Sequence, residues 1–162
     1  MSERFHEVAI TVNGEKVCER VDARKTLVDF LREDLALTGS HVGCEHGVCG
    51  ACSVRVDGMV VRGCLMLAVQ CDGARVDTIE GVADSAEITD LQQAFVARNA
   101  LQCGYCTPGM LLTAQELLAG GGMPSREQIR AHLSGNHCRC TGYQAIVDAV
   151  EAVAQARSGA KG

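Results

Sequence analysis

Eight of the ten cysteines in this 162-residue chain fall into two sets of four, and the spacing within each set limits what the chain can fold around. The first set is Cys44, Cys49, Cys52 and Cys64, spaced C-x4-C-x2-C-x11-C. The second is Cys103, Cys106, Cys138 and Cys140, spaced C-x2-C-x31-C-x-C. A chain of this length makes one domain or two of about 80 residues, and a half of that size buries too little apolar surface without a staple or a bound group. The opening residues, MSERFHEVAITVNGEK, contain neither an apolar export core nor a twin-arginine pair, so a cytoplasmic location is expected. In that reducing setting such a density of cysteine points to metal rather than to disulfides. The formal net charge is −5, and no Lys/Arg cluster or long apolar run stands out. Nucleic acid and membrane are therefore excluded as partners.

The first spacing is that of plant-type [2Fe–2S] proteins. Two irons bridged by two sulfides need four thiolates, two per iron. A short loop wraps one side and a distant cysteine closes the other; here Cys64 lies beyond a hairpin, so a sheet carries the last ligand. Gly43, Gly47 and Gly50 permit positive φ and let N–H groups approach the sulfurs. In the second set, Cys106 precedes Thr107-Pro108, which read as an N-cap and a first helical residue. A helix N-terminus favours thiolate there. Cys138 and Cys140 precede the last helix in the same way. Four-cysteine zinc is the competing reading for both sets. It fits the first poorly, because three thiolates share one loop, and stays open for the second. His46 and His137 adjoin the two sets, but four cysteines already complete each. Cys18 and Cys71 read as ordinary free thiols. No nucleophile–base pair and no phosphate-binding loop is visible.

The pattern between the cysteines is α+β. Val8, Ile10 and Val12 alternate up to Asn13-Gly14, and Glu15–Val21 returns, which predicts a hairpin. Thr26 caps a short helix carrying Leu27, Phe30 and Leu31. A second hairpin runs through Ser53–Val56, Asp57-Gly58 and Met59–Arg62, and Val76–Ile79 reads as a last strand. Beyond it the period becomes helical. Thr89 with Gln92 and Ser125 with Gln128 read as capping boxes. Helices are predicted after Thr89, over 107–119 up to Gly120-Gly121-Gly122, after Ser125, and over 144–156. The expected domains are 1–80 and 88–162, joined by a linker at 81–87, with 157–162 as a frayed tail.

Gly43-Cys-Glu-His-Gly-Val-Cys-Gly-Ala-Cys52, Gln102-Cys-Gly-Tyr-Cys-Thr-Pro-Gly-Met110 and Gly135-Asn-His-Cys-Arg-Cys-Thr-Gly-Tyr143 resemble the iron–sulfur subunit of the xanthine oxidase family of molybdenum hydroxylases. The resemblance covers about residues 7–155. It implies an N-terminal plant-ferredoxin-like β-grasp domain and a C-terminal four-helix bundle, each holding one [2Fe–2S] cluster on the eight cysteines, and it displaces zinc from the second set. It implies a large partner subunit carrying molybdenum on a molybdopterin dinucleotide, a medium subunit carrying FAD in many members, and a dimer of heterotrimers. Electrons would pass from molybdenum through the helical-domain cluster, then the ferredoxin-like cluster, to flavin or another acceptor. By the same resemblance Gln102 and Cys140 lie next to the pterin. No residue of this chain reads as converting substrate, and the substrate is not legible here. The alternative is a free-standing two-cluster ferredoxin. Each oxidised cluster with its thiolates adds about −2, so the assembled chain would carry about −9. Arg139, Arg55 and Arg62 are expected to offset part of that charge.

Overall fold

The computed structural model describes residues 4–159. Strands β1 (Phe5–Val12) and β2 (Glu15–Asp22) form the first hairpin, with Val12 opposite Glu15. Asn13 and Gly14 have φ of 51° and 88°, the two left-handed residues of a type I′ turn. Strands β3 (Ser53–Val56) and β4 (Met59–Arg62) form the second, turning on Asp57 and Gly58 at φ 48° and 86°. Strand β5 (Arg75–Asp77) lies between the hairpins, parallel to β1 and antiparallel to β3, giving the order β2-β1-β5-β3-β4. Alternation along β1 sends Val8, Ile10 and Val12 inward, where they meet Val54, Val56 and Val76.

One face of the sheet is covered by α1 (Leu27–Asp29), which Thr26 caps by accepting from the Asp29 amide. The chain continues at once as a π-helical turn over Phe30–Asp34, a wider winding than the helix that the spacing predicts. Leu27, Phe30 and Leu31 are fully buried against the sheet. Cys71 is enclosed in this core, where burial pushes its thiol up, and Cys18 is exposed on β2.

The second half is helical: α2 (Ile79–Asp84), α3 (Thr89–Ala97), α4 (Thr107–Ala119), α5 (Arg126–Leu133) and α6 (Gln144–Gly159). Phe95, Met110, Leu112, Ile129, Ile146 and Val150 lie in its core. The stretch 81–87 carries most of α2, and its Val82 belongs to the helical core. Ser125 and Gln128 form the expected capping box. Thr89 does not: α3 starts without a side-chain cap, and the Thr89 hydroxyl donates backwards to the Ala86 carbonyl. Thr107 is likewise not a cap but the first residue of α4, with Cys106 in the cap position.

The predicted tail is also corrected in part. Residues 157–159 extend α6, because Arg157 pairs with both carboxylate oxygens of Asp90 on α3 at 2.7 and 2.8 Å and donates to Gln115 on α4. Residues 160–162 of that tail lie outside the described residues. A continuous polar chain ties this corner to the sheet. Gln115 donates to Glu87, Arg55 on β3 grips both Glu87 oxygens at 2.7 and 2.9 Å, and Arg55 Nε donates to the buried Asp77. The Arg55 guanidinium holds the Glu87 carboxyl below its ordinary value. Replacing Arg55 by Met leaves Asp77 and Glu87 short of partners, and should cost on the order of 2 kcal/mol in thermal or chemical unfolding of the full chain. A loss within measurement error would mean that the pairing adds nothing to stability.

Candidate metal centres

The first cysteine set is assembled by the second hairpin. Cys52 directly precedes β3 and Cys64 follows β4 with only Gly63 between. Pairing Ser53 with Arg62 therefore brings the two flanking cysteines together, and the Gly63 amide donates to the Cys52 carbonyl at 3.1 Å. The eleven residues between Cys52 and Cys64 are two four-residue strands, a two-residue turn and Gly63. The remaining ligands come from the loop before β3. Glu45, Gly47 and Gly50 take positive φ there, at 58°, 82° and 74°. Gly43 does not, contrary to expectation; its constraint is space, since a Cβ would lie 3.2 Å from Cys49 Sγ.

The loop turns its amides onto sulfur. The Cys49 N–H donates to Cys44 Sγ at 3.4 Å, and amides of His46 and Val48 reach the same atom. These donors, Cys49 first, lower the Cys44 thiol to about 6. The Cys49 thiol lies close to that of Cys44, and the Cys64 thiol close to that of Cys52. Burial pushes Cys52 up to about 11.

The second set joins two loops of the helical half. Cys103 and Cys106 lead into α4, and Cys138 and Cys140 lie between α5 and α6. Here too the thiols pair across the loops. The Cys103 and Cys140 sulfurs are 3.5 Å apart, and the Cys106 thiol lies close to that of Cys138. The helix N-terminus does not make Cys106 acidic: burial, and then the Cys138 thiol, push it up to about 12. A coordinating cation removes such a proton outright. Burial also acts on Cys138, but the Thr141 hydroxyl, 3.1 Å from its sulfur, and neighbouring amides bring it below its ordinary value. The Tyr143 hydroxyl accepts from the Cys138 amide at 2.9 Å, fixing this loop against the start of α6.

Both sets are thus two pairs of thiols. Among the described residues no three histidine, cysteine or acidic side chains surround one point as a single ion requires. Two donors at each of two positions is the set that a [2Fe–2S] cluster needs, so the residues fit that group. The pairs differ in exposure. Cys103 and Cys140 are exposed, beside exposed Gln102 and Arg139, while Cys138 is buried and Cys106 half-buried. At the first set Cys52 and Cys64 are buried, Cys44 and Cys49 are half-buried, and Val48 and Leu65 stand out in solvent beside them. His46 is exposed and its ring Nδ1 contacts the Cys44 carbonyl. Of the arginines expected near the clusters, Arg55 is committed to Asp77 and Glu87, and Arg62 to Ser53, Gly135 and Asn136.

The sequence reading missed the residues that join the two sets. Tyr105, between Cys103 and Cys106, stacks on His41 with ring centroids 4.6 Å apart and donates its hydroxyl to the Val42 carbonyl. The His137 amide donates to the Cys49 carbonyl at 2.8 Å. The position of these residues beside cysteines was the only signal available.

A pair of glycines separates backbone strain from close approach. Gly104 has φ 82° with open space around it, whereas Gly50 has φ 74° and a Cβ there would lie 2.6 Å from the Gly135 carbonyl oxygen. Gly104→Ala should cost about 1 kcal/mol of unfolding free energy. Gly50→Ala should cost more and lower the iron content of the purified protein. Equal costs in unfolding experiments would show that the contact between the loops can give way freely.

Known proteins match this chain over nearly all its length. The 2Fe-2S iron-sulfur cluster binding domain family matches residues 10–87, and the [2Fe-2S] binding domain family matches residues 78–151. The chain is 50% identical to the caffeine dehydrogenase subunit gamma of Pseudomonas sp. (strain CBB1), over 91% of this chain and 90% of that one. It is 53% identical to the nicotine 6-hydroxylase small subunit of Paenarthrobacter nicotinovorans, over 89% of this chain and 87% of that one. The crystal structure of quinoline 2-oxidoreductase from Pseudomonas putida 86 superposes with a TM-score of 0.90 at 44% identity, covering 99% of both chains.

Proposed function

This chain belongs to the small iron–sulfur subunits of the xanthine oxidase family of molybdenum hydroxylases, and from that premise we propose how its residues carry electrons between partners. The subunit role itself follows from relatives that are named as subunits of dehydrogenases and hydroxylases. We propose that Cys44, Cys49, Cys52 and Cys64 hold one [2Fe–2S] cluster and Cys103, Cys106, Cys138 and Cys140 the other. When bound, each cluster accepts and releases one electron at a time.

The observation that carries the direction of flow is the exposure of the Cys103–Cys140 pair beside Gln102. Exposed thiolate ligands are poorly shielded from water, and this edge is finished by a partner. We place the molybdopterin of a large subunit there, with the Gln102 carboxamide and the Cys140 region against the pterin. A carboxamide offers a donor and an acceptor side by side, which suits a heterocycle edge. Cys106 and Cys138 face inward, so electrons leave the second set toward the first. At the far end Val48 and Leu65 border the Cys44–Cys49 pair and supply an apolar contact for an acceptor, which we assign to a FAD-bearing medium subunit. Ten unpaired cysteines support a reducing, cytoplasmic setting. Among the described residues no helix is long and apolar enough to cross a membrane. A dimer of heterotrimers is the assembly that we infer from the family.

Purified native protein should contain about four irons and as much acid-labile sulfide per chain, and give two distinct low-temperature EPR signals on reduction. Cys106→Ser should abolish one signal and Cys52→Ser the other. Stoichiometric zinc without sulfide would refute the assignment. Arg139 adds a positive charge between two proposed ligands, so Arg139→Gln should lower the potential of the second cluster alone in a redox titration. A potential unchanged or raised would remove Arg139 from the electrostatics of the site.

A further inference from the structure

The two proposed cluster loops meet at a polar joint that is sealed from solvent. Asn136, 1% exposed, stands at its centre. Its carboxamide nitrogen donates to the Gly50 carbonyl at 3.3 Å, and its oxygen accepts from Thr113 at 3.1 Å and from Arg62 at 3.3 Å. Arg62 also donates to the Gly135 carbonyl at 2.8 Å and to Ser53 Oγ at 2.6 Å, and Ser53 donates on to the same Gly50 carbonyl. The backbones touch here: a Cβ on Gly109 of α4 would lie 2.3 Å from the Gly50 oxygen. Gly50 follows Cys49, and Asn136 precedes His137 and Cys138.

One consequence of that register is a backbone hydrogen bond that starts directly on a residue of the first set, from the His137 amide to the Cys49 carbonyl at 2.8 Å. From Cys49 Sγ to Cys138 Sγ the path runs through covalent bonds and this one hydrogen bond. Tunnelling decays less steeply along such a path than across a gap, and it depends steeply on the length of the hydrogen-bonded step. A buried carboxamide with partners on both its oxygen and its nitrogen suits the task of holding that length, because each of these atoms resists displacement into an unsatisfied state.

We propose that Asn136 is a positioning residue for electron transfer between the two clusters: locked by Arg62 and Thr113, it clamps the Gly50 carbonyl and so fixes the Cys49–His137 hydrogen bond that the electron crosses. The inference rests on the ligand assignment above. One electron leaves the group held by Cys103, Cys106, Cys138 and Cys140, and one arrives at the group held by Cys44, Cys49, Cys52 and Cys64. No bond forms or breaks and no proton moves.

The test uses the full chain in its native complex, with Asn136→Ala, Arg62→Gln and Arg55→Met compared with the unsubstituted protein. Iron and sulfide are counted first. Then the spin–spin splitting of the EPR signals with both clusters reduced is recorded, together with the rate of electron passage between clusters after flash reduction. Both joint variants should retain two signals but lose splitting and pass electrons more slowly, Asn136→Ala more than Arg62→Gln. Arg55→Met, which loosens the same two halves at the other end of their contact, should leave splitting and rate unchanged. Unchanged splitting and rate in the joint variants overturn the inference, as does an equal loss in Arg55→Met, which would mean general loosening. If Asn136→Ala fails to assemble, Arg62→Gln decides alone, since it keeps Asn136 and removes the charged donor that Asn136 shares with Gly135 and Ser53. Absence of iron and sulfide from the unsubstituted protein would instead overturn the ligand assignment.

Discussion

The structure depends on the fit of the Gly50 carbonyl against the helical half. The loop that carries Cys44, Cys49 and Cys52 has no regular structure, and its left-handed residues give it little stability of its own. It is held because its last turn is pressed onto Gly109 of α4 and capped by Asn136, while its first turn is pinned by Tyr105. Each contact comes from a segment that carries the other cysteine set. Neither cysteine loop is therefore shaped by its own half alone.

This arrangement explains why two small cores are combined in one chain. The sheet half buries one cluster of apolar side chains and the helices another, with Val60 of β4 bordering the helical core from the sheet side. What lies between is mostly polar: Arg55 with Glu87, Glu116 accepting from the Val60 amide, Arg62 with Asn136. A polar interface of this kind adds less free energy than an apolar one of equal area, but it specifies a single register. For a chain whose ligand sets must sit at a fixed separation, register matters more than added stability.

Much of this was legible in the sequence where a local rule applied. The turns at Asn13-Gly14 and Asp57-Gly58, the Ser125–Gln128 box and the alternation of β1 each follow from chemistry within a few residues. So does the division of the cysteines, because the C-x11-C spacing is the length of one tight hairpin. Thr89 loses its cap locally, to the Ala86 carbonyl three residues back, but in the other failures a partner beyond the immediate neighbours overrode the local preference. Thr107 yields the cap position to Cys106, whose loop meets the one that carries Cys138, and Arg157 is drawn into helix by Asp90 and Gln115. Gly43 is constrained by a sulfur rather than by its own φ. Asn136 and Tyr105 carried no signal beyond their nearness to cysteines, since nothing local reveals which carbonyl a side chain will meet.

The contrast between the two ends of the cysteine system bears on how such a chain works within an assembly. The acidity of the Cys44 thiol comes from amides of its own loop, so that position is electrostatically prepared by this chain alone. The pair at the other end, Cys103 and Cys140, has its sulfurs close together but open to water. In the proposed assembly a partner would complete its surroundings, and the potential of a cluster held there would depend on the dielectric that the partner imposes. The proposed point of entry is thus tuned by assembly, while the proposed exit is set largely by the fold.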